Sequence, residues 1–129
     1  MCTFCRIIAG ELPSRMIYED EKACVFLDIS GDVDAHMLAV PKRHVESLID
    51  CDEETLFAVM HAVKTVTARC IARGFEGVNL LNASGKSAGQ SVGHLHFHLI
   101  PRRAGDNVDA WPHFPGARMT LDEAHELLK

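Results

Sequence analysis

At 129 residues the chain has the size of one domain, large enough to bury roughly two thirds of the surface its unfolded form exposes, so no disulfide scaffold is required. Apolar residues make up 47% and charged residues 24%, which is ordinary globular usage, and no run approaches the roughly 20 apolar residues that span a bilayer, so no membrane partner is expected. The formal net charge of −5 argues against bulk electrostatic binding of nucleic acid, so an anionic ligand needs a local site.

In chain order, Thr3 to Gly10 places apolar residues at helical spacing ahead of a glycine suited to a C-cap, which predicts a short N-terminal helix. Three short β-like runs follow, at Met16–Glu19, Ala23–Asp28 and His36–Val40, with Asp20-Glu21 as a hairpin turn between the first two. A long helix is predicted from Glu53 to Arg73. Asp50 and Asp52 are its candidate N-caps, Gly74 its stop, and Leu56, Val59, Met60, Val63, Thr67, Cys70 and Ile71 its covered face. Strands at Val78–Asn82 and His94–Ile100 flank a loop of small residues, 83–93. Beyond Pro101 periodicity is lost until Thr120-Leu121-Asp122-Glu123 offers a capping-box start to a last helix. The expected organisation is a single domain over 1–129, with a core at 2–103 and a tail at 104–129. Its class is α+β, with a largely antiparallel sheet.

Specific chemistry is concentrated in Gly89-Gln90-Ser91-Val92-Gly93-His94-Leu95-His96-Phe97-His98-Leu99-Ile100. Strand alternation puts His94, His96 and His98 on one side and Leu95, Phe97 and Leu99 on the other. At about 3.3 Å per residue, His94 and His98 are roughly 13 Å apart along a strand. One metal ion can take two neighbours but not all three, and a solvated polar strip is the plainer alternative. The preceding loop suits an anion. Gly85, Gly89 and Gly93 let backbone amides approach closely, Ser91 and Gln90 add side-chain donors, and Asn82 ends the strand before it.

The run His94-Leu95-His96-Phe97-His98-Leu99-Ile100 resembles the signature of the histidine-triad (HIT) superfamily, His-φ-His-φ-His-φ-φ with φ apolar. The resemblance covers about residues 2 to 103. The segments at 4–14, 26–30 and 36–44 look like the Hint branch in the same order, of the bacterial type with an N-terminal Cys-x-x-Cys. It implies a HIT-like fold: five mainly antiparallel strands, one long covering helix, a short N-terminal helix and a C-terminal helical tail. It further implies a nucleotide hydrolase or transferase that passes through a covalent nucleotidyl-histidine. On this chain His96 is then the nucleophile, its Nδ1–H donating to the carbonyl of His94, while His98 donates to a phosphoryl oxygen. Ser91 would bond the phosphate or leaving group, and Gln90, Gly89 and Asn82 the other oxygens. Asp28 would accept from the ribose hydroxyls, and Phe4, Phe26 and Ile29 would form the slot for the base. His36 matches a histidine that relays protons, a satisfied structural histidine being the alternative.

Cys2 and Cys5 are half of a tetrahedral zinc site by spacing, or two reduced thiols near a terminus. The resemblance completes the set with His44 and His94 around a structural zinc; no organic cofactor is expected. With no basic n-region and apolar h-region at the start, and an odd number of cysteines, the expected setting is a reducing cytoplasm. His61 and His125 read as surface or flanking residues, Trp111 and His113 as packing, and Arg102 and Arg103 as solvated. The expected activity is adenosine 5'-phosphoramidate hydrolysis, with AMP as product, by a homodimer built on the long helix and a sheet edge. Dinucleoside polyphosphate hydrolysis is the near alternative, suggested by residues 100–106, which look more like the Fhit side. A nucleotide-binding interaction protein with little turnover, and a zinc-dependent structural module, are alternatives of other classes.

Overall fold

The computed structural model describes residues 2–129. Its elements are α1 (Thr3–Ile8), β1 (Met16–Glu19), β2 (Ala23–Leu27), β3 (Met37–Pro41), α2 (Glu53–Ala72), β4 (Gly77–Leu81), β5 (Phe97–Arg102) and α3 (Leu121–Leu128), with one 3₁₀ turn at Lys86–Ala88. The five strands form one sheet in the order β1-β2-β3-β5-β4, every neighbouring pair antiparallel. The β1–β2 turn closes on Asp20, whose Oδ1 accepts from the amides of Lys22 at 2.8 Å and Ala23 at 2.9 Å.

Alternation along the strands sorts side chains into two cores. Ala23, Val25, Met37, Ala39, Phe97 and Leu99 face α2 and meet Val59, Ala62, Val63, Val66 and Cys70. Cys24, Phe26, Leu38 and Val40 point the other way and are covered by Phe4, Ile7 and Ile8 of α1. β2 and β3 are therefore buried on both faces, which explains their nearly unbroken apolar runs. α2 is as long as a bilayer-spanning helix, yet its apolar stripe lies in the sheet core and Lys64 and Arg69 are exposed.

Some expected boundaries move. On α2 the stripe runs through Ala62 and Val66, whereas Ile71 is 49% exposed. Asp52 is the N-cap, accepting from the Thr55 amide at 3.1 Å, while Asp50 caps the preceding turn through the amides of Glu46 and Ser47. The last strand starts at Phe97 rather than His94 and continues through Pro101 to Arg102. The cause lies in where the backbone bonds of the 94–96 stretch go. The Leu95 amide donates to the Val45 carbonyl at 2.8 Å and the His96 carbonyl accepts from the Asn82 side chain at 2.9 Å, so a loop and an amide group take the place of a strand ladder. Leu95 still faces the α2 core, so the alternation survives without the ladder.

α3 carries the expected capping box between Thr120 and Glu123 and buries no residue. Trp111 and Phe114 lie edge to face at 6.4 Å and are 67% and 64% exposed, so the expected packing role for Trp111 is not met in this chain alone. His113 is likewise exposed.

Candidate active site

The sheet register builds the floor of a cleft on the α1 side. Phe26 pairs with Leu38 and Leu38 with His98, so one cross-strand row presents a ring, an aliphatic group and an imidazole side by side. α1 supplies the wall. Phe4 meets Phe26 edge-on at 5.7 Å and His96 at 5.2 Å. The cleft, about 450 Å³, is lined by these residues with Ile7, Leu12, Asp28, Ser91, Val92 and others, within the range of small-molecule sites.

His96 is buried, with its ring between those of Phe4 and His98. Its Nδ1 lies 2.7 Å from the carbonyl oxygen of His94, so Nδ1 carries the proton and donates. Nε2 has no partner among the described residues and is not sealed from solvent, so its lone pair is presented to the cleft. His98 is 5.1 Å away between ring centres. Its Nδ1 is 2.8 Å from Nε2 of His36, and Nδ1 of His36 is 2.9 Å from Oδ1 of Asp32. Burial, and then the neighbouring His96 and His36, push the His98 imidazolium below the ordinary histidine range, so His98 is held neutral. The Asp32 carboxyl is pulled down to about 2, first by the hydrogen bond from His36. Asp32, His36 and His98 are thus hydrogen-bonded in series toward the cleft.

Other expected residues fall into three groups. Phe4, Phe26, Asp28, Ser91 and His98 line the cleft together with His96. Ile29 borders it but is 91% exposed, so it sits at the rim rather than in the wall of a slot. Asn82 and Gln90 have their side chains engaged by protein. Nδ2 of Asn82 holds the His96 carbonyl and its Oδ1 accepts from Ser84, while Gln90 accepts from the Gly85 amide and donates to the carbonyls of Glu46 and Val92. Gln90 thus spends both amide N–H groups on the backbone, while Asn82 spends one of its two. Gly89 closes the 3₁₀ turn at φ +91°, a left-handed conformation that glycine adopts without strain. Asp32 was not among the expected residues. Its spacing of four from His36 was the one available signal.

A second cluster lies behind α1. The Sγ atoms of Cys2 and Cys5 and the Nδ1 atoms of His44 and His94 all lie within 4.8 Å of one another. Cys2–His94 is 3.5 Å, Cys5–His94 3.6 Å, Cys5–His44 3.3 Å and His44–His94 3.1 Å. Zinc bonds of about 2.05 Å to nitrogen and 2.3 Å to sulfur give tetrahedral edges of about 3.3 Å between nitrogens and 3.6 Å between nitrogen and sulfur. Nε2 of His94 donates to the Pro41 carbonyl at 2.8 Å, which leaves Nδ1 as the free lone pair. Donor set, distances and tautomer all fit a four-coordinate metal. Asp28, His36 and His98 also approach one another, but the 2.8 Å between the two imidazole nitrogens is the length of a shared proton.

Of the two arginines expected to be solvated, Arg103 is exposed, whereas Arg102 is partly buried. Arg102 is held by Asp106, Asn79 and the Val108 carbonyl, and the Arg103 guanidinium lies 3.9 Å above the Phe75 ring. His61 on α2 contacts Tyr18 and takes no part in either cluster.

Comparison with known proteins agrees with this geometry. The HIT domain family model matches residues 9–105. The chain is 48% identical over 112 residues to Protein hit of Bacillus subtilis, covering 84% of this chain and 77% of that protein. It is 37% identical over 137 residues to the adenosine 5'-monophosphoramidase HNT1 of Candida albicans, covering 99% and 89%. A crystal structure of a Zn-bound histidine triad family protein from Mycobacterium smegmatis superposes with a TM-score of 0.75 at 38% identity, covering 89% of this chain and 84% of that one. With the matching residues spanning the sheet, α2 and all three clustered histidines, the chain belongs to the HIT family.

Proposed function

We propose that this HIT-type hydrolase cleaves purine nucleotides at the α-phosphorus, with adenosine 5'-phosphoramidate as the preferred substrate class, through a covalent nucleotidyl-His96. The observation that carries the reading is the tautomer of His96: Nδ1–H is committed to the His94 carbonyl, so a bare Nε2 faces an apolar cleft with Ser91 and His98 beside it. The name of the Candida relative supports the same substrate class.

The base lies against Phe4 and Phe26 and the ribose hydroxyls donate to Asp28. The Nε2 lone pair of His96 attacks phosphorus as the bond to the leaving nitrogen breaks, and that nitrogen takes a proton from Nε2 of His98. The resulting imidazolium keeps its Nδ1–H on the His94 carbonyl, which stabilises the charge without any movement. Water then displaces His96 and gives its proton to Nε2 of His98, releasing AMP. Ser91 donates to a phosphoryl oxygen. Asn82, Gln90 and Gly89 shape the loop so that its backbone can do the same.

Cys2, Cys5, His44 and His94 would hold zinc, whose role when bound is to pin α1, and with it Phe4, to the sheet. The polyphosphate alternative rests on the segment that holds Arg102 and Arg103, and both guanidinium groups are engaged by protein partners. The setting proposed is the cytoplasm. The proposed homodimer uses the β4 edge and the exposed Phe57 and Ile71 of α2. The test is His96→Ala: turnover of adenosine 5'-phosphoramidate falls by at least about 10³-fold with an unchanged circular dichroism spectrum. Retained turnover overturns the reading.

A further inference from the structure

Three donors converge on one oxygen of Asp32. Its Oδ1 accepts from the Ser30 hydroxyl at 2.9 Å, the Val33 amide at 2.8 Å and Nδ1–H of His36 at 2.9 Å. The loop that brings Asp32 back onto His36 turns through Ala35 at φ +58°, a left-handed conformation unfavourable for any residue with a Cβ. The amide of Asp28 donating to the His36 carbonyl at 2.8 Å closes that turn. Aspartate and imidazole are thus fixed by the fold and do not meet by chance on a mobile surface.

Asp32 places a proton on Nδ1 of His36, which leaves the hydrogen bond from His36 to His98 with two states. Without an extra proton, Nδ1–H of His98 donates to Nε2 of His36, and His98 offers a bare Nε2 to the cleft. With one extra proton, His36 carries both of its protons and donates to Nδ1 of His98, and His98 offers Nε2–H while remaining neutral. The charged groups around the pair decide where that proton resides. Asp28 lies within 4.8 Å of both rings, 3.9 Å from Nε2 of His36, and so favours neither strongly, whereas Asp32 at 2.9 Å bonds His36 alone and His98 also faces the His96 ring and is half-buried. Positive charge therefore belongs on His36.

We propose that Asp32 is a positioning residue that, acting through His36, sets the proton occupancy of His98 and lets it serve as acid in the first half-reaction and base in the second. The inference deepens the hydrolase reading and rests on it. In the first half, the leaving nitrogen takes the Nε2 proton of His98 while Nδ1 of His98 takes the Nε2 proton of His36, so the pair ends one proton poorer and His36 neutral. In the second, the attacking water loses a proton to Nε2 of His98, Nδ1–H of His98 returns to His36, and the starting state is restored. Every proton lost by the pair is regained.

The test compares wild type, Asp32→Asn, Asp32→Ala and the neighbouring exposed control Asp34→Asn. The first readout is ¹⁵N imidazole NMR of the free protein against pH. The second is kcat and KM against pH with adenosine 5'-phosphoramidate. Removing an anion beside a cation disfavours the cation, so in Asp32→Asn the His36–His98 pair should lose its extra proton about one pH unit lower than in wild type. Above neutral pH kcat should then fall about tenfold, KM should change less than about twofold, and lowering the pH by about one unit should restore the rate. Asp34→Asn should follow wild type, and Asp32→Ala should in addition lose the Nδ1–H tautomer of His36. Superimposable ¹⁵N titrations of wild type and Asp32→Asn, or a rate loss equal at every pH, would overturn the role of Asp32. A shifted titration in a protein that turns over no adenylyl substrate would uphold the relay and sink the hydrolase reading instead.

Discussion

Asn82→Ala separates a backbone brace from a phosphate ligand. The Nδ2–H of Asn82 is 2.9 Å from the carbonyl oxygen of His96, and its Oδ1 takes the Ser84 hydroxyl at 2.8 Å. The His96 carbonyl occupies the position where a strand would otherwise supply a partner, in a residue that is only 6% exposed. Truncation leaves that acceptor unsatisfied, at a cost of about 1–3 kcal/mol. For a domain of this size that is roughly 3–10 °C in Tm. The catalytic consequence comes through geometry, because the backbone that Asn82 holds carries the nucleophile, and a misplacement of about 1 Å can cost about a hundredfold in rate. The expected outcome is a lower Tm by differential scanning calorimetry and a lower kcat with KM close to wild type. An unchanged Tm together with a raised KM and intact kcat would show that Asn82 touches substrate, and the reasoning would fail.

Two further outcomes follow from the clusters on either side of α1. Chelation should lower Tm by roughly 10 °C, the loss of about 3 kcal/mol supplied by a ligand at a hundredfold over its Kd, while kcat below the transition stays within about twofold of the untreated enzyme; loss of turnover from a folded protein would move the metal into the chemistry. Asp32, held at about 2 by the His36 hydrogen bond, has a depressed carboxyl, so the stability it contributes is fully present above the ordinary carboxylate range and is lost as pH falls toward 2. Urea midpoints of wild type and Asp32→Asn should therefore converge on acidification between about pH 4 and 2, and a constant gap would contradict the pairing.

The two-face logic of the sheet was legible from alternation alone. Leu95, Phe97 and Leu99 enter the α2 core, and His98 turns to the opposite face with Phe26 and Leu38. The capping box at Thr120 and the turn at Asp20 are local chemistry and were equally readable. What escaped depends on partners distant in sequence. The strand starts late because Val45 and Asn82, far along the chain, take the backbone bonds of residues 95 and 96. Asp32 meets His36 only because Ala35 adopts a conformation that no pattern of residue types announces. The resemblance implied Ile29 as a slot residue, yet β2 ends at Leu27 and the chain leaves the sheet before it. The metal ligands drew on family resemblance for His44 and His94, since spacing identified the cysteine pair alone.

The central claim is that the lone pair at Nε2 of His96 reaches phosphorus. Quenching the enzyme at alkaline pH during turnover of adenosine 5'-phosphoramidate, followed by peptide mapping in a mass spectrometer, tests it most directly. The account predicts an adenylyl group on His96 and on no other histidine; a label on His94 or His98, or turnover with no labelled histidine at all, would contradict it.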